Sequence, residues 1–280
     1  MLSTGQKNRL LVAACVAGVA AVVYIFATAS FSWNEIPKYL FAPQIVAGAR
    51  ITLLLTIVSM ALGIVIGVIF AMMRVSSLRV PQVVAAGYIW LFRGIPLLVQ
   101  IIFWFNLALF MPRIGFGDYS VSTNEVMGSF TAALIALSLN EGAYMAEIVR
   151  GGILAVDAGQ VEAARALGLS RGRTFRRIVL PQALRMVIPA TGNQLIGMLK
   201  ATSLVSVIGV HDLLTQAQFI YTANYLIMEL LIVAAIWYLA LTALASLLQH
   251  FLEKWASHRP SDRHEAAVTV QVPTGSEQLV

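Results

Sequence analysis

The chain has 280 residues, of which 59% are hydrophobic and only 11% charged, against about 25% charged in an ordinary globular domain. Together with a mean hydropathy of +0.81, this excludes a soluble globular protein and makes lipid the solvent for most of the chain. A net charge of +6 does not mark a nucleic-acid binder, because the basic residues sit in short segments between long apolar runs and form no aromatic-plus-basic platform.

In chain order, the first apolar run covers 10–29 behind Lys7 and Arg9. Ala27-Thr28-Ala29 offers a small-residue cleavage pattern, but the run is longer than the ~7–15 residues of a signal peptide, so an uncleaved first span is expected. Cys15, the single cysteine, lies in this run and is expected to be a small buried apolar residue; it forms no internal disulfide, and the chain has no Cys/His metal-ligand spacing. Further runs at 45–73, 83–111, 127–149, 187–210 and 225–251 each supply the ~20 residues a helix needs to cross the hydrocarbon. The expectation is an all-α integral membrane protein of about six transmembrane helices. Gly63 and Gly67 in the second run form a small-xxx-small pair suited to close helix packing.

Ionisable groups inside spans are costly and are functional candidates by default. Arg93-Gly94-Ile95-Pro96 interrupts the third run; Gly94 and Pro96 break the helix, which is tolerated at membrane depth where the freed backbone faces protein or a water-filled cavity. Arg93 is therefore a candidate for a solute path, beside the plainer reading of an interfacial arginine that snorkels. Glu141 and Glu147 fall in the fourth run, the latter three residues before Arg150, the spacing of an ion pair at the membrane edge. The fifth run contains Lys200, Thr202 and Ser203. Lys200 either holds a substrate carboxylate or pairs permanently with Glu141 or Glu147. Glu229, at the start of the sixth run, reads as interfacial.

Between the fourth and fifth runs lies GQVEAARALGLSRGRTFRRIVLP, residues 159–181. Glu162 to Leu167 is a strong helix-forming run, and Glu162 near its start suits the helix dipole. Gly168 is placed to end it with a left-handed cap, and Ser170 to cap a second helix. Phe175, Ile178 and Val179 share one face of that helix, and Pro181 marks its end or a kink. Positive charge alternates between connections. Lys7 and Arg9, Arg74 and Arg79, the arginines from 150 to 185, and Lys254, Arg259 and Arg263 fall on one side; few bases fall on the other. This puts both termini and the arginine-rich loop in the cytoplasm. The polar tail, 253–280, contains Pro260 and Pro273 and reads as disordered.

The spacing Glu162-Ala163-Ala164, three residues, Gly168, nine residues, Ile178, one residue, then Leu180-Pro181 resembles in full the cytoplasmic signature of importer permeases of the ATP-binding-cassette class. FRGIPLLVQ (92–100) and NEGAYMAEIVRGG (140–152) resemble that class's polar amino-acid branch. The resemblance covers about 47–252, and Glu141 stands where the branch often has a small hydroxyl residue. It implies a type I importer permease, a five-helix shared core (45–252) with the coupling loop at 150–186, preceded by an N-terminal helix in 1–44. Glu162, Ala163, Ala164 and Gly168 match the coupling helix, which seats in a groove of the ATPase. Implied partners are an ATPase dimer, an extracytoplasmic amino-acid-binding protein docking on outer loops 112–125 and 210–224, and a second permease subunit, identical or related. The expected place is the cytoplasmic (inner) membrane, with ATP and Mg²⁺ on the partner subunit and no cofactor on this chain.

No phosphate loop is present: Gly192 and Gly197 have its separation, but Met198 follows where lysine is required. There is no HExxH site, and the four histidines suggest no catalytic arrangement. The rival reading is a stand-alone secondary transporter or channel for small polar solutes, since broken helices and midplane charges occur there too.

Overall fold

The computed structural model describes residues 4–28, 32–115 and 119–257. Ala29 of the small-residue cleavage pattern and the tail from 258 lie outside these residues. The described chain is helical apart from one short hairpin. Helix α1 (Thr4–Thr28) is followed by a 3-10 turn (Trp33–Glu35), α2 (Ile36–Leu40), α3 (Pro43–Arg74), α4 (Arg79–Gly94), α5 (Leu97–Phe105) and α6 (Leu107–Phe110). Strands β1 (Arg113–Ile114) and β2 (Val121–Ser122) pair antiparallel, Arg113 opposite Ser122. Then come α7 (Thr123–Val126), α8 (Ser129–Leu154), α9 (Ala158–Ala166), α10 (Arg171–Thr174), a π-helical turn (Phe175–Val179) and α11 (Leu180–Ala201). A 3-10 segment (Thr202–Ile208), α12 (Leu213–Asn224) and α13 (Ile227–Ser257) complete the order.

Three helices, α3, α8 and α13, are each long and apolar enough to cross a membrane. Two further candidates are broken: α4 and α5 meet at 99°, and the helical path from Arg171 to Ile208 turns by 46° into α12. Of the about six expected spans, three are single long helices and two are bent pairs, the α4–α5 break falling at the interruption expected in the third run and the second bend, before α12, not anticipated; α1 carries only a shorter apolar stretch. In α1 the apolar stretch is Leu10–Ala21, and its described side chains, Cys15 included, are exposed. The expectation of a buried cysteine fails: among the described residues nothing covers Cys15, which is exposed.

The segment 210–224, expected to be a connection, is mostly α12. Asp212 caps it, accepting from the amides of Thr215 at 3.1 Å and Leu214 at 3.2 Å. It ends at Tyr225, which has φ 62°; α13 therefore starts at Ile227.

Packing centres on α3 against α8. Backbones without a driving hydrophobic force between them approach where side chains are small. A Cβ on Gly63 would stand 2.7 Å from Glu141 Cγ, and one on Gly142 would stand 2.6 Å from Ile66 Cγ2 and 2.7 Å from the Tyr88 hydroxyl. Gly48 meets α12 in the same way, 2.9 Å from Leu213 Cα. Around this seam Leu55, Ile101, Ala136, Leu137, Met198 and Val205 form one buried core. A second core, Ile36, Ile45, Ala49, Leu213, Leu230 and Val233, ties α2, α3, α12 and α13 together. Outside these cores Leu54, Ile57, Val65 and Ile69 of α3 and Leu239, Leu244 and Leu248 of α13 are exposed, the surface of a protein whose outer solvent is lipid.

Because Gly142 has no room for a methyl group while Gly87 of α4 has nothing within 4 Å of its would-be Cβ, the two respond differently to substitution. Gly142→Ala is expected to cost about 1–3 kcal/mol from overpacking, and Gly87→Ala to leave stability unchanged. Thermal unfolding of the purified protein in detergent measures both.

Candidate functional site

The connection between α8 and α11 is built as a helix, a glycine turn and a second helix. α9 starts at Ala158, where Asp157 accepts from the Gln160 amide at 3.2 Å, an N-cap that the sequence reading missed. Glu162 is consequently the fifth residue of α9 and exposed, rather than a partner of the helix dipole at its start. At the other end, Leu169 N donates to Ala164 O at 3.1 Å and Gly168 N to Arg165 O at 2.9 Å. This is the Schellman arrangement, and Gly168 takes φ 78° as expected. Glu162 and Ala163 face outward while Ala164 is buried, 3% exposed. Gln182 on α11 donates to Gln160 Oε1 at 2.6 Å, so α9 is held to α11 by a side chain as well as by the turn.

Two expectations about the second helix need correction. Ser170 sits at the N-cap of α10 but makes no side-chain cap; instead its carbonyl accepts from Thr174 N at 2.9 Å and Thr174 Oγ1 at 3.1 Å. Pro181 neither ends nor sharply kinks the helix. It lies in the first turn of α11, directly after the π turn. Proline has no N–H to donate and its ring crowds the preceding turn, and a widened turn is one way a helix absorbs this. Within the π turn Phe175 and Ile178 are half-buried and Val179 buried, while Arg176 and Arg177 are exposed.

The break at Arg93-Gly94-Ile95-Pro96 is present and its chemistry is visible. In a continuous helix Phe92 O would accept from the amide four residues on, but that residue is Pro96, which has none. Two amides replace the missing donor: Gln100 Nε2 at 2.9 Å and Asn140 Nδ2 at 2.8 Å. Gln100 also donates to Ile95 O at 2.8 Å. Gln100 is only 5% exposed. Neither amide stood out in the sequence except inside the resemblance. The pairing of a Gly/Pro break with a nearby buried Gln was the available signal. Arg93 itself is exposed, its guanidinium 5.1 Å from the Tyr144 ring centroid, a cation–π contact.

The expected ionisable residues do not converge on one point. Glu141 is 4% exposed; its stem packs on Gly63 and its carboxylate accepts from Gln194 Nε2 at 3.2 and 3.4 Å. Glu147 pairs with Arg150 at 2.7 Å, the ion pair anticipated from spacing. Lys200 joins neither carboxylate. It is exposed on α11, in line with Asn193 and Gly197, and among the described residues no ion pair reaches it. Thr202 is fully buried and Ser203 half-buried. Their hydroxyls donate to Leu199 O at 2.6 Å and Lys200 O at 2.7 Å, satisfying the last carbonyls of α11. Glu229 is buried and accepts from Ser32 N at 2.7 Å, so it is not simply interfacial. Asp212, overlooked in the sequence, also receives Thr215 Oγ1 at 2.6 Å and the Tyr238 hydroxyl at 3.3 Å, knitting α12 to α13. Among the described residues no group of three His, Cys, Asp or Glu side chains is placed to hold a metal.

The break makes a quantitative prediction. Gln100→Leu or Asn140→Leu alone leaves Phe92 O one donor; the double variant leaves it none. The double variant is expected to lose about 1–3 kcal/mol more than the sum of the single losses, read from unfolding midpoints of the four proteins.

Comparison with known proteins places this geometry. Residues 63–258 match the model of the family described as binding-protein-dependent transport system inner membrane component. An arginine transport system permease protein of Corynebacterium glutamicum is 44% identical over 227 residues, spanning 80% of this chain and 72% of that protein. A glutamine transport system permease protein of Escherichia coli K12 is 37% identical over 224 residues, 80% and 97% of the two chains. A nopaline transport system permease protein of Agrobacterium fabrum is 39% identical over 219 residues, 76% and 88%. Among solved structures, the chain is similar to that of an amino acid ABC transporter with histidines. The TM-score is 0.71 with 36% identity, over 81% of this chain and all of that one. An inward-facing methionine ABC transporter superposes with TM-score 0.62 at 20% identity, over 76% of this chain and 96% of that one, a likeness of fold.

Proposed function

This chain belongs to the binding-protein-dependent transport system inner membrane component family and is the permease subunit of an amino-acid importer of the ATP-binding-cassette class; from that premise, we propose that α9 with its glycine turn couples it to the ATPase and that the open face of α11 lines the solute path. The family implies an ATPase partner, which hydrolyses ATP, and a binding protein. It is a multi-pass membrane protein, and its relatives leave no support for a stand-alone secondary transporter.

The observation that carries the coupling assignment is the Schellman turn at Gly168. Two backbone hydrogen bonds and the Gln160–Gln182 contact fix the angle between α9 and the helical path into α11. Glu162 and Ala163 point away from the chain's own core. A rigid outward-facing helix joined to a membrane helix is what an ATPase dimer needs in order to push, with ATP and Mg²⁺ bound on that dimer. The arginine distribution supports a topology with both termini and this loop in the cytoplasm.

Lys200 supports the path assignment. An exposed ammonium on a membrane-spanning helix is not stable against hydrocarbon, so this face of α11, with Asn193 and Gly197, turns toward water or a second permease subunit. Arg93 and Lys200 suit a carboxylate. Glu141 and Glu147 are already engaged by Gln194 and Arg150, which leaves Arg93 and Lys200 as the uncommitted charges of the path. Thr202 and Ser203 shape the end of α11. Relatives named for arginine and glutamine fit a zwitterionic amino acid as solute, delivered by the binding protein at the other end of the helices from α9, where β1, β2, α7 and α12 stand in chain order.

A tagged chain purified in mild detergent, with mass spectrometry of what accompanies it, tests the assembly. Co-purification of an ATPase, lost when Glu162 and Gly168 are replaced, is the expected result; a chain that purifies alone and moves solute in liposomes without ATP overturns it. Gly168→Val is expected to insert normally but to lower solute transported per ATP hydrolysed, since a β-branched residue at positive φ costs about 1–2 kcal/mol. Normal coupling in that variant would reassign the turn. Lys200→Ala is expected to reduce transport by roughly tenfold or more with the amount of assembled complex unchanged.

A further inference from the structure

One cavity is used by none of the functions above. A groove of about 560 Å³ runs along the chain between α3, α8 and α11, from Met60 and Leu195 to Phe175, Leu180 and Leu252 at its cytoplasmic mouth. Its walls are apolar over the whole length, with Thr191 the lone hydroxyl, and that hydroxyl is already committed to Val187 O at 2.8 Å. The lining residues Val68, Leu180 and Leu184 are themselves exposed, so the groove opens sideways into the bilayer.

The mouth is charged. Arg171 stands four residues before the groove-lining Phe175, and Arg176 four before the groove-lining Leu180, spacings that put each pair on one helical face. Arg171, Arg173, Arg176 and Arg177 are all exposed, and among the described residues no carboxylate pairs with them. Glu253, beside Leu252, accepts from Gln249 at 2.7 Å.

We propose that this groove and the arginines at its mouth are a binding site for an anionic phospholipid of the cytoplasmic leaflet. The acyl chain lies between α3 and α11, and the headgroup phosphate sits on the guanidinium groups of Arg171 and Arg176. An apolar slot closed by arginine at headgroup depth matches both halves of that ligand. Arginine suits phosphate because its planar fork donates two parallel hydrogen bonds, and basic pockets on this side of a membrane protein hold acidic headgroups. The site touches the π turn and α11 from Leu180 to Leu195, so an occupied groove stiffens the stretch that connects α9 to the membrane.

The test uses the full chain, purified with its partners and stripped of lipid, then titrated with phosphatidylglycerol or phosphatidylcholine and examined by native mass spectrometry. The wild type is expected to retain phosphatidylglycerol preferentially, by roughly tenfold. Arg171→Gln with Arg176→Gln is expected to bind both lipids equally. Leu184→Trp, which fills the exposed groove wall without entering a core, is expected to lose the retained lipid of either kind. An unchanged preference in the arginine variant, or unchanged retention in Leu184→Trp, overturns the proposal. Leu184→Cys supplies an independent check, because Cys15 is the chain's single cysteine. A disulfide between the two in native membranes would show that α1, of this chain or of a second copy, fills the groove instead.

Discussion

Everything in this molecule depends on how its helices satisfy their backbones and approach one another without water. Hydrocarbon offers no hydrogen bonds, so each carbonyl must be met from within the protein. It offers no hydrophobic drive for helix association either, which leaves shape to decide which helices touch. Gly63 and Gly142 are the result: they let α3 and α8 close to a distance at which a single methyl group would collide with Glu141, Ile66 or Tyr88. The rest of the core is arranged around that seam, with α5, α11 and the 3-10 segment on one side and α12 and α13 on the other.

The same constraint explains where helices are allowed to fail. The α4–α5 break survives because Gln100 and Asn140 supply the donors that Pro96 withholds. The end of α11 is closed by Thr202 and Ser203, whose hydroxyls return to its last carbonyls. Residues that look like substrate ligands in a linear reading thus do structural work in part. Lys200, by contrast, serves no such need, and its exposure gives the open face of α11 its meaning.

Much of this was legible in the sequence. Apolar runs of membrane-spanning length located the main helices; the glycine spacing in α3 located its close contact; the 159–181 signature located the helix–turn–helix, including the left-handed Gly168. What could not be read were features set by partners distant in sequence. Glu141 and Lys200 looked like a possible pair, but Glu141 is buried and bonded to Gln194 while Lys200 is exposed. The segment 210–224 fell between two apolar runs and was expected to be a connection; its helix is stabilised through Asp212, whose partners include Tyr238 on another helix. Pro181 looked like a terminator because spacing alone does not show that a π turn can take up its missing amide. Cys15 looked buried because a run of apolar residues says nothing about which neighbour covers it.

The way the α4–α5 break is closed separates the molecule into parts that answer to different variables. Neutral amides, not ions, complete the backbone there; Gln100 is buried and Asn140 half-buried. Dissolved salt screens exposed formal charges from one another beyond about 8–10 Å under physiological conditions, but it has little purchase on a buried dipole bonded to a carbonyl. The arginine-bearing connection between α9 and α11 is the opposite case, with its charge exposed to solvent. Raising ionic strength therefore acts on the arginine-bearing connection while leaving the amide-closed α4–α5 break unaffected.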